Sequence, residues 1–311
     1  MEIGLNSKNV FFLGIILAGS GFVSPPLALL GGLIYGFSVQ HPFHVESRKL
    51  SRFLLQASVV ALGFGMNLHQ VVHAGKSGFF YTAISITFAI LLGLLLGKIM
   101  RVSPKASFLI TCGTAICGGS AIAAVAPILK ANDEDMAVSL GTIFSLNALA
   151  LLIFPLIGLA LHLSQSQFGL WSALAIHDTS SVVGAAAKYG PGALAIGTTV
   201  KLARALWIVP LALITAYLYK SKTRVQLPWF ILLFVLAAVA STYLTVFAPA
   251  YPVLSRLGRL GLTVTLFLIG TGLSRKTLEQ VGFRPMVQGI ALWVVVALLS
   301  LLAIRSGLIA I

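Results

Sequence analysis

Three observations predict an all-α polytopic membrane protein. Hydrophobic residues make up 58% of the 311 positions and charged residues only 9%, against about 25% charged in a soluble domain. The mean hydropathy is +1.01. Apolar runs long enough to cross a bilayer recur along the chain, since about 20 residues rising 1.5 Å each cover a core of about 30 Å. Finally, two soft, small-residue interruptions read as copies of one another: Ala115-Ile116-Cys117-Gly118-Gly119-Ser120-Ala121-Ile122 and Ala175-Ile176-His177-Asp178-Thr179-Ser180-Ser181-Val182. Together they predict roughly 9–11 membrane segments in inverted structural repeats, with two broken or re-entrant segments meeting at the midplane.

The elements follow in order. Residues 9–39 hold two short apolar halves divided by Pro25-Pro26, either a tight hairpin of two short spans or one broken span. Lys8 and the apolar run 10–23 have the outline of a signal peptide. Another apolar segment follows Ser24-Pro25-Pro26 at once, however, which predicts a retained membrane element. Spans or near-spans are expected at 50–66, 77–99, 136–161, 191–218, 227–247, 252–271 and 285–309. Segments 104–130 and 166–188 differ, each being two half-length helical stretches that meet at Gly, Ser or Thr. Such a segment either crosses once with an unwound middle or dips in and returns. In both cases its freed backbone groups must line protein or a wet cavity, because an unsatisfied group in hydrocarbon costs several kcal/mol.

The 21 Lys and Arg against 7 Asp and Glu give a net charge of +14. Basic residues cluster in short loops, and no basic stripe interleaved with aromatics appears, so the charge reads as topology and not as nucleic-acid binding. The loops at 41–52, at Lys98/Arg101/Lys105, at Lys220/Lys222/Arg224 and at Arg275/Lys276/Arg284 read as cytoplasmic. Loops 161–167 and 247–252 carry no Lys or Arg and read as outside. A re-entrant 104–130 sends 136–161 outward to an uncharged end, as the rule prefers.

Internal matches support that arrangement. Each soft segment is followed by an apolar helix opening on Gly-Thr, Gly141-Thr142 to Pro155-Leu156 and Gly197-Thr198 to Pro210-Leu211. Leu62-Gly63-Phe64-Gly65-Met66-Asn67-Leu68 also resembles Leu266-Phe267-Leu268-Ile269-Gly270-Thr271-Gly272-Leu273. With hairpins, every matched pair has opposite orientation, an inverted repeat in permuted order. Residues 1–311 are thus expected to form one integral membrane domain, with repeat-like halves near 25–161 and 166–311.

Few residues can carry chemistry. Lys201 and Arg204 share one helix face at i, i+3, well inside a span. A cation there costs about 2.5–3.5 kcal/mol on insertion scales and faces a cavity or a partner. Asp178 could neutralise one of them, take a proton or bind a cation. His177 reads as a proton carrier or a packing group. The tips Gly118-Gly119-Ser120 and Thr179-Ser180-Ser181 supply bare backbone, hydroxyls and helix N-termini, which suit an anion. These residues form the expected substrate site, with His177 and Asp178 for coupling or charge balance.

Other features read as structural. Cys112 and Cys117 lack nearby metal-ligand partners and read as packing residues. His69 and His73 read as part of an amphipathic interfacial stretch, and Lys130, Asp133, Glu134 and Asp135 as a solvated loop. Asn147 could hydrogen-bond across helices. No Walker motif, dinucleotide fingerprint or nucleophile elbow is present, which argues against an ATP-driven pump and against catalysis. No metal and no cofactor is expected.

The run Thr111-Cys112-Gly113-Thr114-Ala115-Ile116-Cys117-Gly118-Gly119-Ser120-Ala121-Ile122-Ala123-Ala124, with His177 to Ala185 and Lys201-Leu202-Ala203-Arg204, resembles the YeiH-like sulfate exporter family of bacterial inner-membrane proteins. The resemblance covers nearly the whole chain. It implies a secondary transporter distantly related to the cation/proton antiporter and anion transporter group. The expectation is alternating-access transport of a small inorganic or organic anion, such as sulfate or a related sulfur-containing anion. Coupling to a proton or sodium and a homodimeric state are left open. The competing expectations are a cation/proton antiporter using Asp178 and, more remotely, a membrane-embedded enzyme or scaffold.

Overall fold

The computed structural model describes residues 7–39, 42–220, 229–273 and 282–309. His41, Lys222, Arg224, Arg275 and Lys276, assigned above to basic loops, lie outside the described residues. Every regular element described is helical: α1 (Ser7–Gly19), α2 (Pro25–Ser38), α3 (His44–Gly63), α4 (Leu68–Ile99), α5 (Pro104–Ala115), α6 (Gly119–Val125) and α7 (Asp133–Ala160). There follow α8 (Gln165–Ala175), α9 (Thr179–Tyr189), α10 (Pro191–Ala205), α11 (Ile208–Leu218), α12 (Trp229–Tyr243), α13 (Tyr251–Thr271) and α14 (Phe283–Arg305). Five stretches among the described residues are long and apolar enough to cross a membrane: Val71–Ile99, Asp133–Ala160, Pro191–Leu218, Tyr251–Thr271 and Phe283–Arg305. Large apolar side chains such as Ile84, Leu91, Leu156 and Leu302 are exposed on them. That surface suits lipid, which asks for no polar cover.

The helices form two compact units, each discontinuous in sequence. The first holds the described residues of Met1–Val71 and Trp229–Arg275. Here the Pro25-Pro26 region resolves as a hairpin, because the Tyr35 hydroxyl at the end of α2 donates to the Ser7 carbonyl at the start of α1 (3.0 Å). α13 packs against α2 and α3 at glycines. A Cβ on Gly270 would stand 2.6 Å from the Leu29 carbonyl oxygen, and one on Gly258 2.9 Å from that of Ser58. Phe11, Tyr35 and Phe267 seal the α1 side.

The second unit holds the described residues of Val72–Pro228 and Lys276–Ile311. Its two soft segments are hairpins closed at their bases. In the first (α5, α6), Lys105 Nζ donates to the Lys130 carbonyl (2.8 Å) and Ser103 Oγ to Asp135 Oδ1 (2.6 Å). In the second (α8, α9), the Tyr189 hydroxyl donates to the Leu163 carbonyl (2.6 Å), and the Phe168 and Tyr189 rings stack 3.8 Å apart. α7 begins at the first base, where Asn132 caps it, and ends at the second, where Gly158 lies against the rings of Phe168 and Tyr189. At 28 residues, α7 is about 42 Å long, so the two hairpins enter from opposite ends of the unit.

The expected span 191–218 is two helices, because Pro210 offers no N–H and its ring crowds the carbonyl four residues back, at Leu206. The chain turns there: Val209 N donates to the Leu206 carbonyl (3.1 Å) and Trp207 N to that of Arg204 (3.1 Å). α4 meets α5 and α14 through Gly93 and Gly97. A Cβ on Gly93 would fall 2.6 Å from Thr111 Cγ2, and one on Gly97 3.1 Å from Gln288 Nε2. Gln288, fully buried on α14, donates to the Gly93 carbonyl (3.0 Å) and to Ser107 Oγ (2.9 Å).

Candidate functional site where two hairpin tips meet

Each hairpin turns where the sequence softens, and the turns meet beside the centre of α7. Gly118 adopts φ 65°, ψ −127°, backbone that favours glycine. A Cβ there would lie 3.4 Å from the Asp178 Cβ and 3.5 Å from Asn147 Nδ2. Asn147, midway along α7, accepts with Oδ1 from the backbone N–H of His177 (3.1 Å) and of Asp178 (3.2 Å). It therefore bonds across helices, tying α7 to the second tip.

Asp178 is the N-cap of α9. Its Oδ2 accepts from Ser181 N (3.2 Å) and from the Ser180 hydroxyl. The carboxylate therefore offsets the positive end of its own helix. Thr179, Ser180 and Ser181 are buried, Gly119 is half-buried and Ser120 is exposed.

Lys201 and Arg204 are both 0% exposed, and all their bonds but one, to Ser85 Oγ, go to main-chain carbonyls. Lys201 Nζ donates to Ile176 O (2.7 Å) and, at 3.5 Å, to Ala173 O. Arg204 Nη1 reaches Leu174 O (3.1 Å) and Ser85 Oγ (3.4 Å). Trp293 on α14 donates to Ala175 O (3.1 Å). The carbonyls orphaned at the C-terminus of α8 are thus all bonded to side chains. Arg204 Nε also donates to Ala115 O (2.7 Å), at the C-terminus of α5. One guanidinium therefore joins both hairpins, and both cations stand where helix C-termini carry partial negative charge.

That set of bonds is incomplete. Among the described residues, Arg204 Nη2, Asn147 Nδ2, both ring nitrogens of His177 and the hydroxyls of Thr114 and Thr198 are buried with no hydrogen-bond partner. A buried orphan donor costs about 1–3 kcal/mol, more when charged, and Asn147 Nδ2 is the one that stands beside the first tip, 3.5 Å from where a Cβ on Gly118 would lie. Asn147, expected only to hydrogen-bond across helices, does so here, whereas Trp293 and Ser85 were not singled out in the sequence. For Trp293, a tryptophan inside an apolar span whose N–H must find an acceptor was the available signal.

Comparison with known proteins gives a consistent outline. The family model described as Conserved hypothetical protein 698 matches residues 9–289. The chain is 48% identical over 307 residues to a UPF0324 membrane protein of Bacteroides thetaiotaomicron, covering 96% of this chain and 93% of that one. It is 47% identical over 308 residues to one from Bdellovibrio bacteriovorus, with 97% and 95% covered. For one from Geobacter sulfurreducens the values are 46% over 298 residues, with 96% of each chain covered. No solved structure matches.

Proposed function

The chain belongs to the UPF0324 family of membrane proteins, the YeiH-like family of the sequence resemblance, and from that premise we propose that it is a secondary transporter of small anions. The cargo class is sulfate and related sulfur-containing anions, carried by alternating access across a bacterial inner membrane. The observation that supports this reading is the pair of buried donors, Arg204 Nη2 and Asn147 Nδ2, left without an acceptor where the tips meet.

Charge bookkeeping points the same way. Helix ends carry about half a charge each. Two C-termini contribute about −1, the N-terminus of α9 about +0.5, and Asp178, Lys201 and Arg204 their formal charges. With Lys201 and Arg204 both charged, the sum is about +0.5 before α6 is counted, an excess that an anion cancels. The hairpins entering from opposite ends of the second unit suit an inverted repeat built around a shared central site.

Lys201 then acts mainly as a positioning residue for α8, while Arg204 both positions the hairpins and offers the two N–H groups of Nη2 to the cargo. A second reading keeps Asp178 as a cation-binding carboxylate. It is favoured only by that side chain's partial exposure, since Oδ2 already serves as a helix cap. Thermal stabilisation of the purified protein by sulfate, thiosulfate, sulfite and chloride, at fixed sodium, tests the assignment through mass action. Stabilisation by sodium at fixed anion, with none by any anion, would reject the anion reading in favour of the second.

A further inference from the structure

The first unit contains a feature that the hairpin site does not use. α13 is apolar enough to span, yet Arg259 lies eight residues into it, about 12 Å from its start. Its recorded contact is weak: Nη1 to Ser255 Oγ on its own helix, at 3.5 Å. The side chain lines an open cavity of about 570 Å³ with Phe64, Met66, Asn67, Tyr251 and Ser255, within the size range of small-molecule sites. A cation inside a span normally faces a partner or a wet cavity, and here the cavity is present.

The walls are of two kinds. The Phe64 and Tyr251 rings stack at 5.7 Å and 12° to form an aromatic face, and Met66 adds thioether surface. The Tyr251 hydroxyl is committed to the Ala240 and Leu244 carbonyls (3.0 and 2.7 Å), and Ser241 and Thr242 to the main chain. Asn67 spends Oδ1 on His69 N (2.8 Å) and retains its amide N–H groups. The donors still available are therefore the Arg259 guanidinium and the Asn67 amide, beside an apolar wall. The floor is stiff, because a Cβ on Gly65 would already press to 3.0 Å on that of Ser255.

We propose that this cavity is a second binding site, for a small organic anion whose sulfonate or carboxylate pairs with Arg259 and whose apolar body lies on Phe64 and Tyr251. A planar guanidinium binds two oxyanion oxygens at once, and the aromatic wall rewards a short alkyl group that bare sulfate lacks.

Ethanesulfonate is the probe, with thermal stabilisation of the full-length protein in neutral detergent as the readout. The measurement is made in the Asn147→Asp background, which disables the hairpin site. Ethanesulfonate is expected to stabilise this protein, and adding Arg259→Gln to weaken the apparent affinity by about tenfold or more, with Arg259→Lys in between. Arg259→Gln with an unchanged midpoint in buffer confirms that the fold survives, as its exposed position predicts. Equal stabilisation with and without Arg259 would overturn the site. So would loss of the ethanesulfonate effect in nanodiscs containing phosphatidylglycerol but not in phosphatidylcholine, since a lipid phosphate would then be the occupant. Failure of the hairpin site alone would appear instead as sulfate binding undiminished by Asn147→Asp.

Discussion

Asn147→Asp separates anion from cation chemistry with almost no change of shape. Asn147 Oδ1 accepts from His177 N and Asp178 N, and an aspartate keeps both bonds. Only Nδ2, the buried donor without a partner, becomes an oxygen. An anion at the tips then loses a hydrogen bond worth about 1.5–3 kcal/mol to a charged group. It also meets a like charge: at about 4 Å and an effective dielectric near 20, the repulsion is about 4 kcal/mol. The sum is about 5–7 kcal/mol, and each 1.4 kcal/mol is tenfold, so sulfate affinity falls roughly ten-thousandfold; screening to half that sum still leaves nearly a hundredfold. Sulfate-dependent thermal stabilisation measures the loss, and the unliganded midpoint reports on the retained bonds. Sulfate binding within tenfold of wild type would refute an anion site at Asn147, and new sodium-dependent stabilisation would transfer the site to cations.

Three further outcomes are expected. Arg204→Met leaves Ala115 O and Leu174 O buried without donors, a loss of about 2–6 kcal/mol in stability that Arg204→Lys partly restores; an unchanged melting temperature in Arg204→Met would contradict the bonding described. Gly119→Leu drives its side chain toward the Phe144 ring, 2.9 Å from where a Cβ would stand, so it should insert in the membrane yet fail to transport; normal flux would remove the first tip from the site. Single cysteines at Asp133 and Ser164, in a background lacking Cys112 and Cys117, should label from opposite faces, with Gln165 and Tyr189 labelling from the Ser164 side. Opposite-side labelling of Gln165 and Tyr189 would break the second hairpin.

Much of this arrangement was legible in the residues. Gly118-Gly119 and Asp178-Thr179 mark the turns because an uninterrupted apolar helix has no need of them, and Lys201 and Arg204 are conspicuous through the cost of a cation inside a span. Their partners were not legible. Sequence offers Asp178 as the obvious counter-charge, whereas the cations bond to carbonyls of Ile176, Leu174 and Ala115, and carbonyls are common to every residue. Hairpin and single crossing were nearly balanced by loop charge, and contacts such as Lys105 to Lys130 decide between them only in three dimensions. The helix break at Leu206 was readable from Pro210. The discontinuous units were not, because they depend on close approaches at Gly258 and Gly270, and glycine is frequent in any membrane helix. Gln288 and the Gly93-x-x-x-Gly97 spacing did carry a signal: a lone amide in an apolar helix, and a pattern suited to tight helix contact.

The guanidinium shared between Ala115 O and Leu174 O has a mechanical consequence. Parting the two tips would strip the charged donor from one of the carbonyls, Ala115 O when Arg204 stays with the second hairpin, in a place that water does not reach, at a cost of about 1–3 kcal/mol in addition to the hydrogen bond the guanidinium itself loses. Arg204 thus works as a rivet between the two hairpins. In the transport cycle proposed here, the cargo travels with the riveted pair as a single moving part, its exits opened by displacement of that part and not by a gap prised between the tips.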